Sequence, residues 1–217
     1  LAPRVIVNGD CLTRTNVRSS LARMPDTAPS ARDKVLVTAL KLFTGKGYFN
    51  TSMRDITRES AVSTGSIYHY FKDKEGVAAA LYQSMIERMQ SELQQIMAAY
   101  ETAHDQCRAV VALLFSITEQ EPEAMTFMLY IKHREFLPAE RPVCSSQPFE
   151  MMRAMVARGM ARGEIEQRDV LVASTCLFGG PIRMITSQLD GILEKPLGDY
   201  LDDVWSCSWR AVAEPGS

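Results

Sequence analysis

Three histidines in 217 residues leave little material for acid–base catalysis or metal binding. His69, His104 and His133 stand far apart, and no HExxH pair, nucleophile elbow or phosphate-cradling glycine loop accompanies them. Five cysteines (Cys11, Cys107, Cys144, Cys176 and Cys207) are dispersed without a CxxC pair. That pattern argues against both a zinc site and a secreted disulfide framework, so reduced cytosolic thiols are expected. Long uninterrupted apolar runs are also missing, and Leu1–Met24 lacks the apolar centre of a signal peptide. The expectation is a cytoplasmic protein with no membrane partner, no cofactor, no metal and no enzymatic activity. Glu119, Glu121 and Glu123 read as charge at a helix boundary, and the Gly159–Gly163 spacing, in a polar context, as of little meaning.

The length suffices for one or two domains with a sizeable core. Net charge is −2, unevenly spread. Residues 1–76 hold twelve basic against seven acidic side chains, and residues 77–217 twelve against nineteen. A basic front and an acidic rear suit a front half that meets phosphate and a rear half that does not.

The stretch Thr51–Phe71, TSMRDITRESAVSTGSIYHYF, organises the chain. Ser52 and Asp55 have capping-box spacing and open a helix over about Ser52–Ser60. Ala61 and Val62 form a turn. Ser63 can then cap a second helix, Thr64–Tyr70. At 100° per residue Ile67, Tyr70 and Phe71 share one face, suited to packing on Ile56 and Val62. Gly65, Tyr68 and His69 fall opposite, with no large aliphatic side chain among them. A short helix presenting such groups outward fits the recognition helix of a helix-turn-helix.

Helix one covers Ala31–Thr44, with Val35, Ala39, Leu40 and Phe43 as its core stripe and Gly45 and Gly47 at its end. Asp73 caps helix four, which runs to about Ala99 and links front to rear. The rear half reads as five more helices and no strands, at about 103–119, 123–136, 149–162, 169–190 and 197–213. Residues 137–148 form a loop. The 169–190 segment is apolar almost all round, Gly179–Gly180 permits close backbone approach, and Pro181 introduces a kink. In the last segment Leu197, Tyr200, Leu201, Val204, Trp205, Trp209 and Val212 form a wide apolar stripe. Residues 1–29, rich in Arg, Ser, Thr and Pro, read as a flexible arm.

From Ala31 to about Tyr82 the chain resembles the DNA-binding domain of TetR-type (TetR/AcrR) transcriptional regulators. The matching pieces are ALKLFTGKGYFNTSMRDI and VSTGSIYHYFKDKEGV, about a quarter of the sequence. The resemblance implies an all-α fold of about nine helices. A three-helix helix-turn-helix domain, residues 30–76, precedes a larger helical domain, residues 77–217, that binds effector and dimerises. It assigns base-edge contacts to Arg54, Thr64, Gly65, Ser66 and Tyr68, and phosphate contacts to His69, Lys72 and Lys74, with Thr51 as a further candidate. Chemistry agrees: Arg54 can fork two donors to guanine, Gly65 permits close approach, and lysines supply sequence-independent affinity. Many relatives have glycine where this chain has Ala61; a positive φ there would strain alanine by about 1 kcal/mol.

The resemblance also implies an effector buried in the rear domain, for which Met89, Phe115, Phe127, Met128, Tyr130, His133, Met151, Met155 and Phe178 are candidates. Each is equally a plain core residue. Methionine adapts to varied apolar shapes, so the expected effector is a small hydrophobic or amphipathic molecule, with His133 and Arg134 available to its polar end. The last two helices are expected to form a four-helix bundle with a second copy through Leu177, Gly180, Leu201, Val204, Trp205 and Trp209, the alternative being a monomer core. The expected function is a homodimeric repressor released from its DNA operator by effector. An activator on the same fold, and a helical small-molecule binding protein or enzyme without operator function, are the rival readings.

Overall fold

A computed structural model describes residues 30–138 and 143–214. The expected arm, residues 1–29, lies outside the described residues. Among those described, nine α-helices follow one another: α1 Ala31–Gly45, α2 Met53–Ser60, α3 Thr64–Tyr70, α4 Lys74–Ala99, α5 Ala103–Gln120, α6 Pro122–Tyr130, α7 Gln147–Ala161, α8 Val170–Leu189 and α9 Leu201–Arg210. The fold is all-α; one isolated antiparallel bridge, Ile165 to Ala213, ties the α7–α8 connection to the end of α9.

Helix starts follow the capping chemistry. The Ser30 and Ser52 hydroxyls each accept the N–H of an Asp three residues on, whose carboxylate accepts the cap N–H in return. The Ser52 hydrogen bonds, first through its side chain, hold the Asp55 carboxyl down at about 2. Ser63 caps α3, Asp73 caps α4 and Thr102 caps α5, each by accepting a backbone N–H in the first turn.

Two apolar clusters result. The front one joins Val35, Ala39, Leu42 and Phe43 of α1, Ile56, Ile67, Phe71 and the first half of α4 with Ala124, Phe127, Phe136 and Leu137. The rear one gathers Leu93, Cys107, Val111, Phe115, Met155, Leu177, Phe178, Ile185 and Trp205. Burial in that cluster pushes the Cys107 thiol up to about 12, which leaves it a protonated packing group.

The structure corrects several expectations. The 123–136 helix stops at Tyr130, and a short 3-10 turn, His133–Glu135, follows. Stopping there turns His133, Phe136 and Leu137 down into the front cluster. The last segment opens as a 3-10 turn, Leu197–Tyr200, before α9 begins. Pro181 stands inside helix α8, which runs on to Leu189. By length and composition alone the helix could also cross a membrane, but Ser174, Thr175 and Arg183 interrupt its apolar residues, and Leu177, Phe178 and Ile185 pack into the rear core. Gly180 lies close to Ser208 of α9, whereas a Cβ on Gly179 would meet only open space.

Gly159 has more meaning than its polar surroundings suggest. A Cβ there would sit 2.6 Å from the Ala103 Cβ and 2.8 Å from the Ile165 Cδ1. The absence of a side chain lets α7 approach the start of α5, where the Glu164 carboxylate accepts the N–H groups of Ala103 and His104. Gly159→Ala is therefore expected to destabilise the fold by about 1–3 kcal/mol despite its gain in helix propensity, as measured by urea denaturation.

Candidate functional site

The turn between α2 and α3 depends on Ala61, whose φ of 54° and ψ of 25° place it in the left-handed region. An L-alanine is strained there by about 1 kcal/mol, and the turn holds it nonetheless. Val62 and Ile67 anchor α3 from beneath. Above them Thr64, Gly65, Tyr68 and His69 are exposed, Tyr68 at 53%, while Ser66 is half-buried and shares a 2.9 Å hydrogen bond with Ser63. Nothing lies within 4 Å of a Cβ built on Gly65, so the helix face is open at that point. Arg54 and Lys72 are exposed on either side.

Three placements differ from expectation. Tyr70 is exposed at 47% and does not share the buried face of Ile67. Phe71 reaches the core because it lies beyond the helix in extended backbone, φ −136° and ψ 123°, where helical spacing no longer holds. Thr51 is buried, its hydroxyl donating to the Gly47 carbonyl at 2.9 Å and the Leu42 carbonyl at 3.3 Å, so its side chain closes the α1–α2 connection and does not reach a phosphate. The Lys74 ammonium donates to the Tyr48 carbonyl at 3.0 Å and sits 4.2 Å from the centre of the Tyr48 ring. It ties α4 to the preceding loop, assisted by the Tyr48 hydroxyl donating to Glu75 at 2.9 Å.

Between the two cores lies an apolar cavity of about 90 Å³. Met85, Ile86 and Met89 of α4, Leu114 and Ile117 of α5, Met125, Met128 and Leu129 of α6, Met152 of α7, and Ile182 and Ile185 of α8 line it. Beside it, sharing Met128, Leu129, Val143, Phe149 and Ile182, a more open cleft of about 700 Å³ is edged by Lys132, His133, Arg134 and Glu135. Of the expected effector residues, Met89 and Met128 line the cavity and His133 lines the cleft. Phe115, Met155 and Phe178 are buried in the rear core, and Met151 packs against that core without lining either space. Phe127 is buried in the front core, its ring 6.4 Å from that of Phe43. Tyr130 is exposed, its hydroxyl donating to the Asp190 carboxylate at 2.7 Å.

Arg88 was not among the expected residues. It lines the cavity and makes a two-pronged pair with Glu121 at 2.7 and 2.9 Å, with both side chains largely buried. A charged residue of α4 facing an apolar stripe was the available signal. His133 stands within 5 Å of the Tyr82 and Phe127 rings, and its Nε2 is buried without a hydrogen-bond partner.

The expected dimer surface also shifts. Leu177 and Trp205 are buried within the chain, the Trp205 indole N–H donating to His104 Nε2 at 3.0 Å. Leu201, Val204 and Trp209 are partly buried against the same core, and Gly180 is exposed. The exposed side of α8 is formed by Leu171 at 62%, Val172 at 52%, Thr175 and Cys176, a phase one residue or so away from Leu177. Among the described residues no group of His, Cys, Asp or Glu side chains comes together to hold a metal ion.

An outward α3, a capped turn and a rear helical unit beside an apolar cavity make up a helix-turn-helix front on a helical body. Residues 35–81 match the family described as bacterial regulatory proteins, tetR family. The chain is similar to HTH-type transcriptional regulator HbdR of Aromatoleum sp. (strain CIB), 32% identical over 94 residues, 43% of this chain and 41% of that relative. It is similar also to HTH-type transcriptional repressor KstR2 of Mycolicibacterium smegmatis, 32% identical over 73 residues, 34% of this chain and 36% of the relative. Thus the match spans about two fifths of the length of these curated relatives. The fold extends further: the crystal structure of the transcriptional regulator FadR from Bacillus subtilis in complex with stearoyl-CoA superposes with TM-score 0.66 at 19% identity, covering 81% of this chain and 96% of that one. The family match lies at the front of the fold, from within α1 to the first turns of α4, and takes in the helix-turn-helix.

Burial pulls the His133 imidazole down from 6.5 to about 4. The unfolded chain therefore takes up a proton in this interval that the folded chain refuses. Stability linked to His133 is complete above about 6.5, is lost as the pH falls, and declines no further below about 4. The loss over that window is roughly 2–3 kcal/mol. Urea denaturation at pH 7 and pH 4.5 is expected to show a smaller acid loss in His133→Phe than in the unaltered protein.

Proposed function

We propose that this protein is a sequence-specific DNA-binding transcriptional repressor, acting in the cytoplasm as a homodimer and without enzymatic activity. A small hydrophobic or amphipathic effector in the rear domain releases it from its operator. The observation that carries this reading is the outward face of α3, where Gly65, Tyr68 and His69 stand free above a buried Ile67. Arg54, Thr64, Gly65, Ser66 and Tyr68 are its base-reading set, and His69 and Lys72 its phosphate contacts. Lys74 and Thr51 serve the fold beneath them.

One such helix reads too little DNA alone. Two must lie about 34–36 Å apart to enter successive major grooves. The exposed face of α8 around Leu171 and Val172 supports pairing with a second copy, because an apolar helix face is covered in a stable assembly. An effector with its apolar chain in the cavity and its polar end in the cleft, near Lys132 and Arg134, suits the lining. The stearoyl-CoA complex of FadR, which has the same fold, supports a ligand of that shape. The effector acts by favouring the arrangement of α4 and α6 in which the paired recognition helices no longer match the grooves.

Fluorescence anisotropy against DNA flanking the protein's own gene tests the reading. Arg54→Ala is expected to weaken specific binding by about 1–3 kcal/mol and nonspecific binding far less; equal losses remove Arg54 from base reading. Lys72→Ala should weaken both alike and lower the salt slope by about one. Val172→Asp should convert the dimer to monomer in light scattering, with loss of operator binding. A monomeric unaltered protein that still binds the full operator sinks the dimer.

A further inference from the structure

We propose that the inner cavity selects an apolar chain bearing a neutral hydrogen-bond acceptor, an ester, thioester or ketone carbonyl, and rejects the corresponding free carboxylate. This rests on the effector reading above and names the ligand's chemical class. The argument begins with Arg88. Its two terminal nitrogens are both taken by the Glu121 carboxylate, at 2.7 and 2.9 Å. Its Nε is buried and has no hydrogen-bond partner. The polar side chains lining the cavity are Arg88, Glu92 and Ser146. The Ser146 hydroxyl proton is already given to the Val143 carbonyl at 2.6 Å. Among the described lining residues the Arg88 Nε–H is therefore the buried donor left without an acceptor.

Charge decides which acceptor it takes. An arginine facing an apolar pocket ordinarily invites a carboxylate, through a two-pronged contact. Here that contact is already made from inside the protein. The Arg88–Glu121 pair is neutral as a unit, and Glu92 adds a negative charge to the same wall. An incoming carboxylate would lose its water, find a single donor and face like charge. A neutral carbonyl loses far less on desolvation and satisfies the Nε–H with its one oxygen. Five methionines, Met85, Met89, Met125, Met128 and Met152, surround the spot and can repack around a chain larger than the empty space.

The test is isothermal titration calorimetry of the full chain with methyl octanoate and with octanoate at pH 7.5. Methyl octanoate is expected to bind at least about tenfold more tightly. Arg88→Lys, which keeps the charge but lacks Nε, should lower ester affinity about tenfold. Glu121→Gln exposes the arginine's charge and should reverse the order in favour of octanoate, a reversal that loss of packing alone does not produce. Should the Glu121 variant fail to fold, the comparison on the unaltered protein decides. Octanoate binding as tightly as the ester, or binding of neither probe, overturns the proposal. Preferential ester binding that leaves DNA affinity unchanged sinks the effector reading above and leaves this selectivity standing.

Discussion

Helix α6 is packed on both sides, and the relation between the two halves of the molecule depends on it. Phe127 points into the front core against Phe43, while Met125 and Leu129 belong with the rear core and line the cavity, with Met128 at the boundary of both. Nine residues thus form the wall between the front core and an apolar space. Protein interiors are close-packed, so a displacement of that wall by a methyl group's width is transmitted and not absorbed. Helix α4 repeats the arrangement over a greater length. Its first half belongs to the front core, Leu93 belongs to the rear core, and Met85 to Glu92 cross the cavity between them.

The aromatic contacts around the 3-10 turn after α6 strengthen the connection. Phe136 stacks on Tyr48 with ring centres 3.7 Å apart, and His133 lies against Tyr82 and Phe127. Tyr48 is held in turn by Lys74 and Glu75 at the start of α4. The loop before the helix-turn-helix, the linker helix and the end of α6 therefore meet at one cluster. A buried neutral imidazole suits such a place, since a charged one would have to be solvated where no water-facing partner exists.

The front domain was legible because its signals are local. Ser52 with Asp55 and Ser63 mark helix starts by hydrogen bonds that span three residues, and the Val35–Phe43 stripe marks the core face. Tyr70 shows where local reasoning ends: the helical wheel extends to Phe71 only if the helix does, and the backbone has already straightened. The expected effector residues are harder to read for a different reason. Both faces of α6 are apolar, so periodicity identifies a buried helix but does not say which side meets the cavity and which meets α1. Phe127 and Leu129, two residues apart, fall to opposite sides, Phe127 in the front core and Leu129 against the rear core and the cavity. On α8 the same ambiguity moved the exposed face from Leu177 to Leu171, Val172 and Cys176. Long-range choices of this kind are settled by tertiary packing, as is the need for Gly159, which becomes visible only against Ala103.

The Arg88–Glu121 pair limits how the cavity can respond to an occupant. It joins α4 directly to the corner between α5 and α6. Separating two such buried charges leaves each without its partner, at a cost of about 3–5 kcal/mol. A small molecule offering one hydrogen bond and a short apolar chain does not supply that difference and retain useful affinity. The economical response, on the repressor reading, keeps the pair closed, so that α4 moves together with the α5–α6 corner to which it is tied. On the repressor reading, the rotation that separates two recognition helices is then a rigid movement of the whole front domain, carried by Phe127 and Phe136 as much as by the linker helix.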